Sequence, residues 1–117
     1  MSTSITFDPM DLRNKFDAGP EAFDTFFSIF KKNYPERIGK LENCITQNHD
    51  FDQMYGVAHT IKGSVSYFYL NDLTQICVKM EDVIRTRDLV KIKEHFSVYK
   101  ENLDYFLKEV TAGLETL

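Results

Sequence analysis

Between Pro20 and Asn48, apolar residues fall at Phe23, Phe27, Phe30, Tyr34, Ile38, Leu41 and Ile45, in alternating steps of four and three. That rhythm lays one stripe along a helix. Pro35 interrupts the stretch. Because proline lacks an N–H and crowds the preceding turn, a kink or a restart is expected there, although the stripe stays in phase across it. Asp50 followed by Gln53 forms a capping-box-like pair that predicts a second helix through Met54, Ala58, Ile61, Val65 and Phe68. A third stripe reads Leu70, Leu73, Ile76, Cys77, Met80, Val83 and Ile84. Asp88 is placed to cap a last helix with Leu89, Ile92, Phe96, Tyr99, Leu103, Phe106 and Val110 on its inner face, and the tail after Thr111 is expected to fray. Asp8 before Pro9, with Asp11 three residues after the cap, predicts a short helix carrying Met10, Leu12 and Phe16 ahead of the main four.

The connections TQNHD, FYLN and TRD are short, and short links make neighbouring helices antiparallel. The expected fold is therefore all-α, an antiparallel up-down-up-down four-helix bundle with a short extra N-terminal helix. A chain of 117 residues makes one domain, spanning 1–117 with the bundle over about 20–112. Only five Gly and three Pro occur, which argues against a sandwich or barrel that turns every few residues. The net charge of -4 lacks the basic footprint of a nucleic-acid binder. No apolar run reaches the roughly 18 residues that a membrane span needs. Cys44 and Cys77 form no CxxC pair, and the N-terminus carries no apolar secretory segment, so a cytoplasmic protein with reduced thiols is expected.

The second helix carries the candidate chemistry. With successive residues about 100° apart and Ile61 as the zero direction, Met54, Val65 and Phe68 fall within roughly 40° of it, while His59 lands near 160°. This histidine is expected to face solvent. Gly63 at i+4 and Gly56 at i−3 flank it, so two of the five glycines sit inside this one helix, each at a cost of about 0.5–1 kcal/mol relative to Ala. They clear space around one imidazole. Lys62 at i+3 brings an ammonium alongside, and Ser64 and Ser66 add hydroxyls. An imidazole is mostly neutral at neutral pH and attacks an electrophilic phosphorus without a dedicated base. A neighbouring Lys offsets charge on arriving phosphoryl oxygens. The sequence has no Walker loop, GxGxxG, HRD or DFG motif, so it does not read as a self-sufficient kinase, and the phosphate is expected from another protein.

The segment AHTIKGS, Ala58 to Ser64, resembles the signature of the His-containing phosphotransfer (HPt) domain, in which Lys and Gly follow the His at three and four residues. The acidic cap before that helix, Leu73 in the next helix, and Met80-Glu81 where the family usually has Leu-Glu extend the resemblance over roughly residues 20–112. One position departs: about ten residues after the His the family often has Gly, and this chain has Tyr69. The resemblance implies His59 as phosphoacceptor, with Lys62 stabilising phosphoryl charge and Gly63 giving clearance. It implies response-regulator receiver domains and a hybrid sensor histidine kinase as partners. It further implies no cofactor or metal of the protein's own, the magnesium belonging to the receiver.

Phe26 and Ile29 lie off the main stripe of the first long helix. Either Met10, Leu12 and Phe16 cover them, or they belong to an apolar patch where a receiver docks. Tyr55, Gly56, Ser66 and Tyr67 are further docking candidates near the His59 face. The expectation is a monomeric, stand-alone relay protein; the alternative is a helical adaptor that binds signalling partners without being phosphorylated. His95 has no acidic or histidine partner at i+3 or i+4, which argues against a metal there.

Overall fold

The computed structural model describes residues 5–117, and the described residues fold into helices without a strand. A short helix α1 (Pro9–Asn14) precedes four long ones: α2 (Pro20–Asn43), α3 (Phe51–Ser66), α4 (Asn71–Arg85) and α5 (Leu89–Glu115). The expected all-α bundle is present. Antiparallel pairing shows in the side-chain contacts: Arg37 of α2 reaches Ser64 of α3, Tyr55 of α3 meets Arg85 of α4, and Tyr34 of α2 donates to Asp104 of α5. The bundle closes through aromatic packing, with Phe27, Phe30 and Phe68 gathered around Phe106. At about 1.5 Å per residue, a helix the length of α5 runs roughly 40 Å. It sets the longest dimension of the molecule, 42 Å.

Sequence-encoded caps place the helix starts. Asp8 accepts from the Met10 and Asp11 amides, Asp50 from the Gln53 amide, and Asp88 from the Val90 and Lys91 amides. The reciprocal half of the Asp50 box is not made, because the Gln53 side chain instead accepts from Cys44 Sγ at 3.2 Å. The apolar stripes are the core: Phe23, Phe27, Leu41, Met54, Ile61, Leu73, Met80, Tyr99, Leu103 and Phe106 are all fully buried.

Three expectations need correction. Helix α2 passes through Pro35 with no restart. Proline gives up a single i→i−4 bond at an exposed position, while Phe30, Tyr34 and Ile38 stay anchored in the core on both sides of it. The TQNHD link is not a plain loop: Cys44–Asn48 forms one wide π-helical turn that buries two consecutive residues, Cys44 and Ile45. It ends at His49 in the left-handed region, φ 52°. The tail after Thr111 stays helical to Glu115 because α1 packs across it. A Cβ on Gly113 would lie 2.9 Å from Met10 Cε and 3.1 Å from Pro9 Cβ, so a larger residue there would make both side chains of α1 give way. The Arg13 guanidinium grips Asp24 through two bonds of 2.8 Å and ties α1 to α2 as well.

The FYLN turn between α3 and α4 contains the departure at Tyr69. Its backbone is left-handed, φ 55°, the conformation that glycine adopts without strain. A side chain there costs on the order of 1 kcal/mol, and the turn geometry is kept nevertheless.

Candidate functional site

Helix α3 buries Met54, Ala58, Ile61 and Val65 against its neighbours, and this phase turns His59 outward. Its side chain is 61% exposed. The ring is nevertheless fixed. His59 Nδ1 lies 3.0 Å from Oε2 of Glu81 on α4, and that carboxylate is only 3% exposed. The tautomer that makes this bond carries its proton on Nδ1, which leaves the Nε2 lone pair free at the outer tip of the ring. Lys62 donates to the other oxygen, Oε1, at 2.9 Å. A buried carboxylate is costly unless paired and hydrogen-bonded, and these two donors from one turn of α3 supply both needs.

Tyr55, one turn before His59, lies nearly parallel to the imidazole, with centroids 5.8 Å apart and planes 16° apart. The Arg85 guanidinium lies over the Tyr55 ring, 4.8 Å from its centroid, and donates to Asp82. The imidazole is thus held at one nitrogen and along one face.

Gly56 and Gly63 flank His59 as the sequence predicts. A Cβ at either would meet nothing within 4 Å. No internal contact requires glycine there, and the surface beside the imidazole is left bare. Ser64 and Ser66 are not aimed at the imidazole: their hydroxyls turn back to the Thr60 and Gly63 carbonyls, the usual alternative for serine on a helix.

Further along α3, Tyr67 stacks on Phe26 of α2, with centroids 5.4 Å apart and planes 11° apart. Phe26, Ile29, Tyr67 and Tyr69 are all exposed. Phe16 touches Phe26 and Tyr69 from beneath without covering them. Met10 is drawn to Gly113 on α5 instead. An apolar surface therefore adjoins the His59 face, about 12 Å along α3 from the imidazole by helical rise.

Glu81 is the residue that sequence reasoning passed over as a site residue. Its signal was present: an acid stands four residues after Cys77 and three before Ile84, inside an otherwise apolar stripe. A carboxylate in that phase must have partners, and His59 and Lys62 are those partners.

A family model for the Hpt domain matches residues 25–117. The chain belongs to the Hpt domain family. Comparison with curated proteins and with solved structures gave no match. Hpt domains act in phosphotransfer within two-component phosphorelays and interact with kinase and receiver domains. No helix among the described residues is long and apolar enough to cross a membrane.

Proposed function

We propose that this protein is a phosphorelay intermediate that accepts a phosphoryl group on His59 Nε2 and passes it to or from an aspartate of a response-regulator receiver domain. The observation that carries this reading is the His59–Glu81 bond, which turns an exposed imidazole into an oriented nucleophile. The Nε2 lone pair attacks the phosphorus of an aspartyl phosphate; the P–N bond forms as the P–O bond breaks, and the aspartate leaves as its carboxylate. The ring becomes positively charged while its Nδ1 proton stays against Glu81, whose negative charge stabilises it. Lys62, at the same carboxylate, stands within a side-chain swing of the incoming phosphoryl oxygens.

Magnesium and the acceptor aspartate are contributions of the partner. Phe26, Ile29 and Tyr67, with the bare surface at Gly56 and Gly63, form the face offered to it, and Tyr55 and Ser66 lie at its edge. In this reading the protein works as a cytoplasmic monomer, with a hybrid sensor histidine kinase upstream. The reading is tested by incubating phosphorylated receiver domains with the wild-type chain and with His59→Gln. Label on wild type alone supports it; receivers that bind without transferring label would favour an adaptor instead.

A further inference from the structure

A helical side chain tilts toward the N-terminus of its helix, so an exposed imidazole on α3 leans over the turn before it. For His59 that turn holds Tyr55 at i−4 and Gly56 at i−3, the two positions on that side that neighbour residue i. One carries a ring and the other no side chain. The imidazole is therefore walled on the Tyr55 side, where the ring centroids lie 5.8 Å apart with planes at 16°, and bare on the Gly56 side, where even an added Cβ would meet nothing within 4 Å. Offset, nearly parallel planes at such a spacing are an arrangement that aromatic rings favour.

The wall is itself held. Tyr55 packs against the buried core, its hydroxyl accepts from Arg85 of α4, and the same guanidinium lies 4.8 Å from its ring centroid. Arg85 donates in turn to Asp82 on its own helix. The contacts of Tyr55 are thus internal ones, made to the imidazole, to the core and to the helix that also carries Glu81. The bond to Glu81 fixes one atom of the imidazole, Nδ1 at 3.0 Å, and a single anchored atom leaves the plane of the ring free to swing. Nε2 lies across the ring from that anchor, so a swing displaces it. In-line attack needs the lone pair aligned with the phosphorus, and a misplacement of about 1 Å can cost on the order of 100-fold in rate. A parallel neighbour supplies the missing constraint, on the plane.

We propose that Tyr55 is a positioning residue for the transfer reaction: its ring fixes the plane of the His59 imidazole, so that Glu81 and Tyr55 together aim Nε2. The role rests on the relay reading above, in which Nε2 is the attacking atom. It differs from that of a residue at the edge of a docking face, because it acts on the imidazole before any partner arrives.

The isolated chain tests this without a partner. Carbon-13 relaxation of the His59 ring C–H groups is compared in wild type, in Tyr55→Phe, which keeps a flat ring, and in Tyr55→Leu, a good helix former that keeps apolar bulk but no plane. The ring order parameter is expected to stay near the rigid value of about 0.85 in the first two and to fall below about 0.6 in Tyr55→Leu. An order parameter unmoved by Tyr55→Leu overturns the proposal, and since no transfer is measured, that outcome is independent of the relay reading. The functional readout is the split between kcat and KM for transfer from a phosphorylated receiver domain. Tyr55→Leu is expected to lower kcat about tenfold with KM within about twofold of wild type, and Tyr55→Phe to restore it. A raised KM at unchanged kcat also overturns the proposal and makes Tyr55 a docking residue.

Discussion

The imidazole of His59 and the carboxylate of Glu81 form one unit across α3 and α4: a solvent-facing ring whose orientation is set by a buried acid 3.0 Å from its Nδ1. Glu81→Ala removes the group that fixes the tautomer and balances charge on the ring. Carboxylates that orient metal-ligating histidines in the same way are worth about 10- to 100-fold in affinity or activity, and the same order is taken for this pair. Phosphoryl transfer from a receiver domain is expected to slow by that order while the helical circular dichroism spectrum is retained.

The proposed mechanism gives Lys62 a second task beside its bond to Glu81, so its loss is expected to show in two measurements. Lys62→Ala leaves Glu81 with one partner fewer in a nearly buried position. Because the Lys62 side chain is itself partly exposed and water can reach its place, the expected destabilisation is about 1–3 kcal/mol, read by urea unfolding. Transfer slows in addition, without being eliminated.

Gly63 separates stability from function. Since a Cβ there meets nothing, Gly63→Ala is expected to stabilise the isolated protein by about 0.5–1 kcal/mol through helix propensity. Gly63→Gln is expected to fold equally well and to block phosphoryl transfer by occupying the space of the approaching partner. Normal transfer by Gly63→Gln would show that the clearance is not used.

The pH dependence of stability has two separable windows. Burial lowers the titration of His95 below the ordinary imidazole value of 6.5, and its Nε2 meets the Ile76 carbonyl at 3.0 Å. The unfolded chain therefore takes up this proton first, and the contribution of His95, complete above pH 6.5, is lost as pH falls below it. The hydrogen bond to Arg13 holds Asp24 below the ordinary carboxyl value of 3.8, so that contribution is complete above 3.8 and is lost at more acid pH. Urea unfolding as a function of pH is expected to show His95→Gln flattening the first decline and Asp24→Asn the second.

Much of this molecule is legible in its residues, because helix faces obey a fixed period and caps use a small set of side chains. The stripe from Phe23 to Ile45, the caps at Asp8, Asp50 and Asp88, and the outward phase of His59 all follow from spacing. The unbroken path through Pro35 does not, since it depends on core contacts either side of one missing bond. The π turn at Cys44–Asn48 and the ordered end of α5 likewise arise from tertiary packing, the latter from Met10 and Pro9 against Gly113. Glu81 escaped for a related reason: pattern reading assigns acids to the surface, and only the meeting of α3 with α4 reveals why this one is buried.

The most direct test of the account maps the phosphoryl group itself. The wild-type chain, labelled from a phosphorylated receiver domain, is expected to carry one acid-labile, alkali-stable phosphate on Nε2 of His59, and His59→Gln none. Equal labelling of His59→Gln, or label on any other residue, would contradict it.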